Sequence, residues 1–234
     1  MLDNINQNKL LFLDIETCGG YKDLSTMKNS NPSLHSLFME VGLSYFVRHY
    51  PEHKDDYSPN DYYVKYSALL PEFGRVVCVT VGFLNNGVKK TQTFYEGSEN
   101  EILSGVSDLI NKVDSLGFTL CGHNLKTFDL PYLGKRMVIN GVNPPSLLPS
   151  HDTKPWEIRA LDTKEMWNFG SFKGLSSLHL VCTVMGIDSP KLGEIKGSNI
   201  HDNFYNENNI VKIVEYCERD VTVLMDLVEK IKKL

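Results

Sequence analysis

The chain has 234 residues, 41% of them hydrophobic and 23% charged, with a net charge of −5. That length suits one large α/β domain with room for an insertion, and the negative balance argues against wholesale coating of nucleic acid. No apolar run reaches membrane-spanning length, and the polar start MLDNINQNK lacks the basic-then-apolar plan of a secretory signal. Cys18, Cys78, Cys121, Cys182 and Cys217 are odd in number, scattered, and form no C-x-x-C. Reduced thiols in a cytoplasmic protein are expected.

In chain order, Lys9 to Thr17 (KLLFLDIET) is apolar on both faces, the mark of a central strand. Side chains alternate along a strand, so Asp14 and Glu16 project to one face. Two acids at the end of a buried strand are costly unless something positive meets them. No lysine or arginine stands beside them in the sequence, which leaves a divalent cation, or a basic side chain from a distant segment.

From about residue 19 to residue 62 turn signals alternate with a helical run around Leu34 to Phe46. This reads as a helical insertion, too short for a core of its own. Tyr57, Tyr62, Tyr63 and Tyr66 at its end serve either packing or base stacking.

Arg75 to Leu84 is a second strand, and Asn85-Asn86-Gly87 turns it into a third at Thr91 to Tyr95. Ser98 and Glu101 form a capping box for a helix over Glu99 to Val113. Phe118 to Gly122 is a short strand after that crossover helix. His123 to Asp129 follows directly, and Leu130 to Ile139 continues as a helix with Asp129 at its N-terminus, where a capping role is one reading. A proline-rich loop spans Val142 to Ile158, Leu161-Asp162 closes a short strand, and Leu175 to Met185 is helical. A Gly/Pro/Lys loop over Gly186 to Asn199 precedes the last helix. In that helix Ile210, Ile213, Val214, Cys217, Val221, Leu224, Met225, Val228 and Ile231 form one apolar stripe. Tyr216 and Asp220 lie one turn apart beside it.

Asp14 and Glu16 on a strand, Asp129 at a strand-to-helix junction and Asp220 on the last helix make a set. The segments LDIET (Asp14, Glu16), NLKTFD (Asn124, Phe128, Asp129) and YCERD (Tyr216, Asp220) resemble the DEDD superfamily of 3′→5′ exonucleases. The tyrosine-bearing branch (DEDDy) is indicated, because the sister branch has histidine five residues before the last aspartate and this chain has Glu215. The chain is most similar to stand-alone bacterial exonucleases related to the proofreading domain of family B DNA polymerases, over nearly its whole length. YSALLPEFGRVVCVTVGF, KPWEIRALDTKEMW and SLHLVCTVMGI carry the likeness between the motifs.

The resemblance implies a single α/β domain of ribonuclease H-like fold over residues 1–234. Its mixed sheet would have three antiparallel strands followed by parallel strands reached through crossover helices. It implies two Mg²⁺ or Mn²⁺ ions, Asp14 bridging them, Glu16 and Asp220 completing the first and Asp129 holding the second. Two such ions activate water and spread charge on the leaving oxygen of a phosphodiester. Tyr216 would orient the attacking water, since a phenol with a pKa near 10 is a poor base at neutral pH. Ile15, Thr17, Asn124 and Phe128 would meet the substrate, Phe128 by stacking or by core packing alone. Lys173, Lys191 and Lys196 are candidate phosphate contacts; His123, His179 and His201 lack metal-ligand spacing.

The activity expected is removal of 5′-mononucleotides from the 3′ end of single-stranded DNA, with replication or repair proteins as partners. An exoribonuclease, a scavenger of very short RNA and a non-catalytic nucleic-acid-binding module remain as alternatives.

Overall fold

A computed structural model describes residues 6–85, 87–171, 176–188 and 195–233. Its five-stranded sheet has the order β3-β2-β1-β4-β5, with β1 at Leu10–Gly19, β2 at Gly74–Asn85, β3 at Val88–Phe94, β4 at Thr119–Gly122 and β5 at Ala160–Asp162. β1 is central, as its two apolar faces require. It pairs antiparallel with β2 and parallel with β4, while β2–β3 is antiparallel and β4–β5 parallel. The expected mixed α/β sheet is therefore present.

One face carries Leu11, Leu13 and Ile15 into a cluster with helices α5 (Glu99–Ser115) and α6 (Asp129–Ile139). Ser98 and Glu101 close the capping box at the start of α5. Leu10 and Phe12 face the other way, against Val221, Leu224, Met225 and Val228 of α10 (Ile210–Lys232). Each such buried side chain contributes about 1.5–3 kcal/mol. α10 comes so close to β2 that a Cβ at Gly82 would lie 2.6 Å from Val221 Cγ1 and 2.8 Å from Met225 Cε. That glycine sets the approach of the helix to the sheet.

The β1–β4 ladder runs only from Leu10↔Thr119 to Phe12↔Cys121. Beyond Phe12 β1 keeps β2 as its partner on one side, with a bulge between Glu16 and Thr17. The acids therefore stand where the sheet opens.

The segment after β1 forms α1 (Leu24–Ser30), α2 (Pro32–Leu37), a π turn, α3 (Leu43–His49) and α4 (Pro59–Tyr66). Asp23, Asn31 and Ser58 cap α1, α2 and α4. Contrary to expectation, the insertion packs a cluster of its own: Leu24, Met27, Phe38, Phe46, Tyr62, Tyr63 and Tyr66. Aromatic rings make this feasible, because a few of them bury as much surface as many aliphatics. The tyrosines are used in packing; Tyr66 stacks on Tyr50 at 3.8 Å between centroids, and Tyr57 on His53 at 4.2 Å. The helical part also runs four residues beyond the expected end at 62.

Downstream, α7 (Thr163–Asn168) and α9 (Ile200–Tyr205) are short helices with no periodic pattern to announce them, and α8 is Leu178–Val184, capped by Ser177. The expected start of that helix at Leu175 lies outside the described residues, as does Asn86 of the hairpin turn. The proline-rich loop is present, with Leu147 and Leu148 buried beneath it.

Candidate active site

Asp14 and Glu16 leave β1 toward α10. Ligand oxygens of both lie within 4.8 Å of one another and of Cys217 Sγ. The Cys217 thiol donates to Asp14 Oδ2 at 3.4 Å. Burial, then Cys78 and the acids, push this thiol well above its usual range, so it remains a proton donor. Glu16 is buried, whereas Asp14 and Asp220 each keep part of their surface accessible.

Asp129 is the first residue of α6 and is 4% exposed. It does not cap the helix: Phe128 occupies the cap position and makes no side-chain capping bond. The backbone N–H groups of Asp129 itself and of Ile15 favour its charged form, against the burial. The open side of β1 thereby meets the β4–α6 junction.

The four acids act on one another. Burial raises Asp14 well above the carboxylate range, and Asp129 and then Asp220 push it further. Glu16 is raised in the same direction by burial, then by Asp14, Asp220 and Asp129. Asp129 is pushed up to about 7, chiefly by burial and further by Asp162, against the two backbone N–H groups. Among the described residues, no lysine or arginine forms an ion pair with Asp14, Glu16 or Asp129. Of the two readings of Asp14 and Glu16 above, a distant basic partner thus finds no support within those residues.

Tyr216 is buried in the stripe of α10 rather than beside it. Its phenol is pushed far above the usual range by burial, then by the neighbouring acids Asp220, Glu16 and Asp14. Such a group keeps its proton.

Ile15 turns its side chain into the core, leaving its N–H as the contact to the site. Thr17 donates to the Ala68 carbonyl at 3.0 Å. Phe128 packs on the main core, its ring 5.3 Å from that of Tyr132. Asn124 has φ +66°, and its side-chain oxygen accepts from Thr127 Oγ1 at 2.6 Å and Lys164 Nζ at 2.9 Å. His123 bonds Thr163 Oγ1 and the Ser176 carbonyl, and His201 bonds Gly19 N–H and the Lys22 carbonyl. Both histidines therefore hold loops. Lys196 is exposed; Lys173 and Lys191 lie outside the described residues.

Two residues at the site escaped sequence reasoning. Asp162, closing β5 and 2% exposed, accepts from the N–H groups of Asn124, Lys126 and Lys164 at 2.9–3.0 Å. It braces the loop that delivers Asp129. The only prior sign was an acid at the end of a parallel strand. Cys217 looked like any other member of the stripe.

A family model described as a predicted 3′-5′ exonuclease related to the exonuclease domain of PolB matches residues 69–225. That span includes Asp129, Tyr216 and Asp220 and begins after Asp14 and Glu16. Among solved structures, the chain is similar to the family B DNA polymerase from the hyperthermophilic archaeon Pyrobaculum calidifontis, at 16% identity and a TM-score of 0.57. The likeness covers 94% of this chain and 24% of the polymerase, so this chain spans about a quarter of that protein and shares its fold there. No curated protein matches.

Proposed function

The chain belongs to the family of predicted 3′-5′ exonucleases related to the PolB exonuclease domain, and from that premise we propose that it is a metal-dependent 3′→5′ exonuclease of single-stranded DNA, of the DEDDy type. The carrying observation is the group of buried carboxylates raised by burial and by one another, with no cation paired to Asp14, Glu16 or Asp129 among the described residues. All-oxygen donors of this kind suit Mg²⁺ or Mn²⁺. Asp14, Glu16 and Asp220 would hold one ion, and Asp14 and Asp129 a second. When bound, such ions supply an activated water and stabilise charge on the phosphate and leaving oxygen.

The chain's own groups do the rest. Ile15 N–H and Asp162 keep Asp129 and its loop aimed at β1. Tyr216, holding its proton, orients the attacking water rather than deprotonating it. Asn124, Thr17, Ile15 and Phe128 border the path of the terminal nucleotides, Ile15 through its backbone. Asp14→Ala removes the shared ligand. The chain acts as one domain over residues 1–234, the insertion being part of it. No helix among the described residues is long and apolar enough to cross a membrane. The five free buried thiols fit a cytoplasmic setting alongside replication or repair proteins.

The test uses 5′-labelled single-stranded DNA and its RNA counterpart with Mg²⁺, Mn²⁺ or EDTA, beside Asp14→Ala. Metal-dependent shortening of DNA from the 3′ end, abolished by the substitution, is expected. The loss should far exceed the roughly 10–100-fold seen when a group merely supporting a metal ligand is removed. Equal activity in EDTA, or cutting of circular DNA, would overturn the mechanism; faster RNA shortening would move the substrate to RNA.

A further inference from the structure

Cys217 is the stripe residue of α10 that packing alone explains least. It is fully buried, in the stripe that Val214 and Val221 continue on either side. Alanine or valine would fill such a place with no polar atom. The cysteine sulfur instead meets one residue at two points, Asp14 Oδ2 at 3.4 Å and the Asp14 carbonyl at 3.6 Å. A thiol carries its proton at neutral pH and an ionised carboxylate only accepts, so the sulfur is the donor.

The helix register brings this about. Positions three apart on a helix lie side by side, so Cys217 and Asp220 share one turn of α10. The oxygens of Asp14 and Glu16 and the sulfur of Cys217 all lie within 4.8 Å of one another. On β2, Cys78 stands opposite Glu16 and belongs to the same buried cluster as Cys217. The thiol therefore reaches the acids from their buried side. An aspartate carboxylate rotates broadly about its last bond, so its plane is poorly fixed unless something holds it. Lysine or arginine would hold it and also neutralise it. A thiol is a weak, uncharged donor that fixes the plane and leaves the charge. Each carboxylate oxygen has two lone pairs, so Oδ2 takes the thiol hydrogen and can still face a cation.

We propose that Cys217 is a positioning residue, whose thiol hydrogen bond holds the Asp14 carboxylate in the plane that its metal ions need. This rests on the exonuclease reading of the acids, to which it adds a partner behind the shared ligand. Cys121 on β4 is as fully buried, and its Ala variant loses the same side-chain volume away from α10. It serves as the internal control.

Cys217→Ala removes the donor, and Cys217→Ser keeps one. Mn²⁺ affinity, read by electron paramagnetic resonance, should weaken roughly 10- to 100-fold in Cys217→Ala, the range for losing a group that supports a metal ligand. Cys217→Ser should recover most of that loss. Half-maximal nucleotide release should need correspondingly more Mg²⁺ in Cys217→Ala, with kcat nearly restored at saturation. A packing role predicts the opposite order, because alanine suits an apolar site better than serine. Cys121→Ala should leave Mn²⁺ affinity unchanged. In the metal-free chain, the infrared S–H stretch of Cys217, isolated by subtracting the Cys217→Ser spectrum, should move to higher frequency in Asp14→Ala. An unmoved S–H band, serine no better than alanine, or an equal affinity loss in Cys121→Ala would each overturn the positioning role. An intact chain whose S–H band moves but which binds no Mn²⁺ and releases no nucleotide would instead overturn the exonuclease reading.

Discussion

Two of the places where the described residues bury acids are resolved in opposite ways. At the start of α5, Glu99 is met by the Arg136 guanidinium in a two-pronged pair, 2.8 Å at Oε1 and 2.5 Å at Oε2, and also accepts the Val76 N–H at 2.7 Å. Around Asp14, Glu16 and Asp129 no such cation stands among the described residues, and the acids push one another upward. The first region is complete as folded. Among the described residues the second finds no cation for Asp14, Glu16 or Asp129, which is what a site for a positive ligand requires. Placing both in one chain shows that the fold has arginine to spend on a buried acid and does not spend it at β1.

The contrast can be broken from the compensated side first. Arg136→Met should destabilise by about 3–5 kcal/mol, because it strands Glu99 beneath α6. Urea unfolding measures this directly, and a change below about 1 kcal/mol would mean that the pair contributes little. Asp14→Ala should show the reverse in metal-free buffer, with stability kept or raised.

A smaller effect, spread over pH, sharpens the uncompensated side. Asp129 is raised to about 7 from an ordinary 3.8, and Asp14 and Glu16 are raised in the same sense. Between those values the folded chain binds more protons than the unfolded one, so stability falls as pH rises through that window. In EDTA, thermal melts from pH 4 to 7 should show this decline, and Mg²⁺ should reduce it. Stability that climbs across the window in EDTA would mean the acids are already compensated.

The smallest expected change is at Tyr216. Phe in its place removes one hydroxyl beside Asp220 and leaves every carboxylate, so the rate of nucleotide release should fall roughly 100-fold, at the lower end of the range for losing a positioned proton-handling group. Titration should find metal affinity nearly unchanged. Loss of that affinity would show that the phenol supports the ligands themselves.

Much of this was legible in the residues because it is local. The apolar run around Asp14 and Glu16, the Ser98 capping box and the three- and four-residue spacing of α10 each declare themselves within a few positions. What could not be read depends on partners far apart in the chain. Arg136 meets Glu99 across 37 residues, Asp162 catches the Asn124 loop across 38, and the aromatic cluster of the insertion draws on several helices at once. Ile15 was placed near the site, but its contact is a backbone N–H, which no residue pattern displays.

If the acids around Asp14 hold metal ions, as proposed, a Mn²⁺ titration followed by electron paramagnetic resonance shows it most directly. With the intact chain at neutral pH, two bound ions per chain are predicted, displaced by excess Mg²⁺ and absent in Asp14→Ala. No bound Mn²⁺, or undiminished binding in Asp14→Ala, would contradict the account.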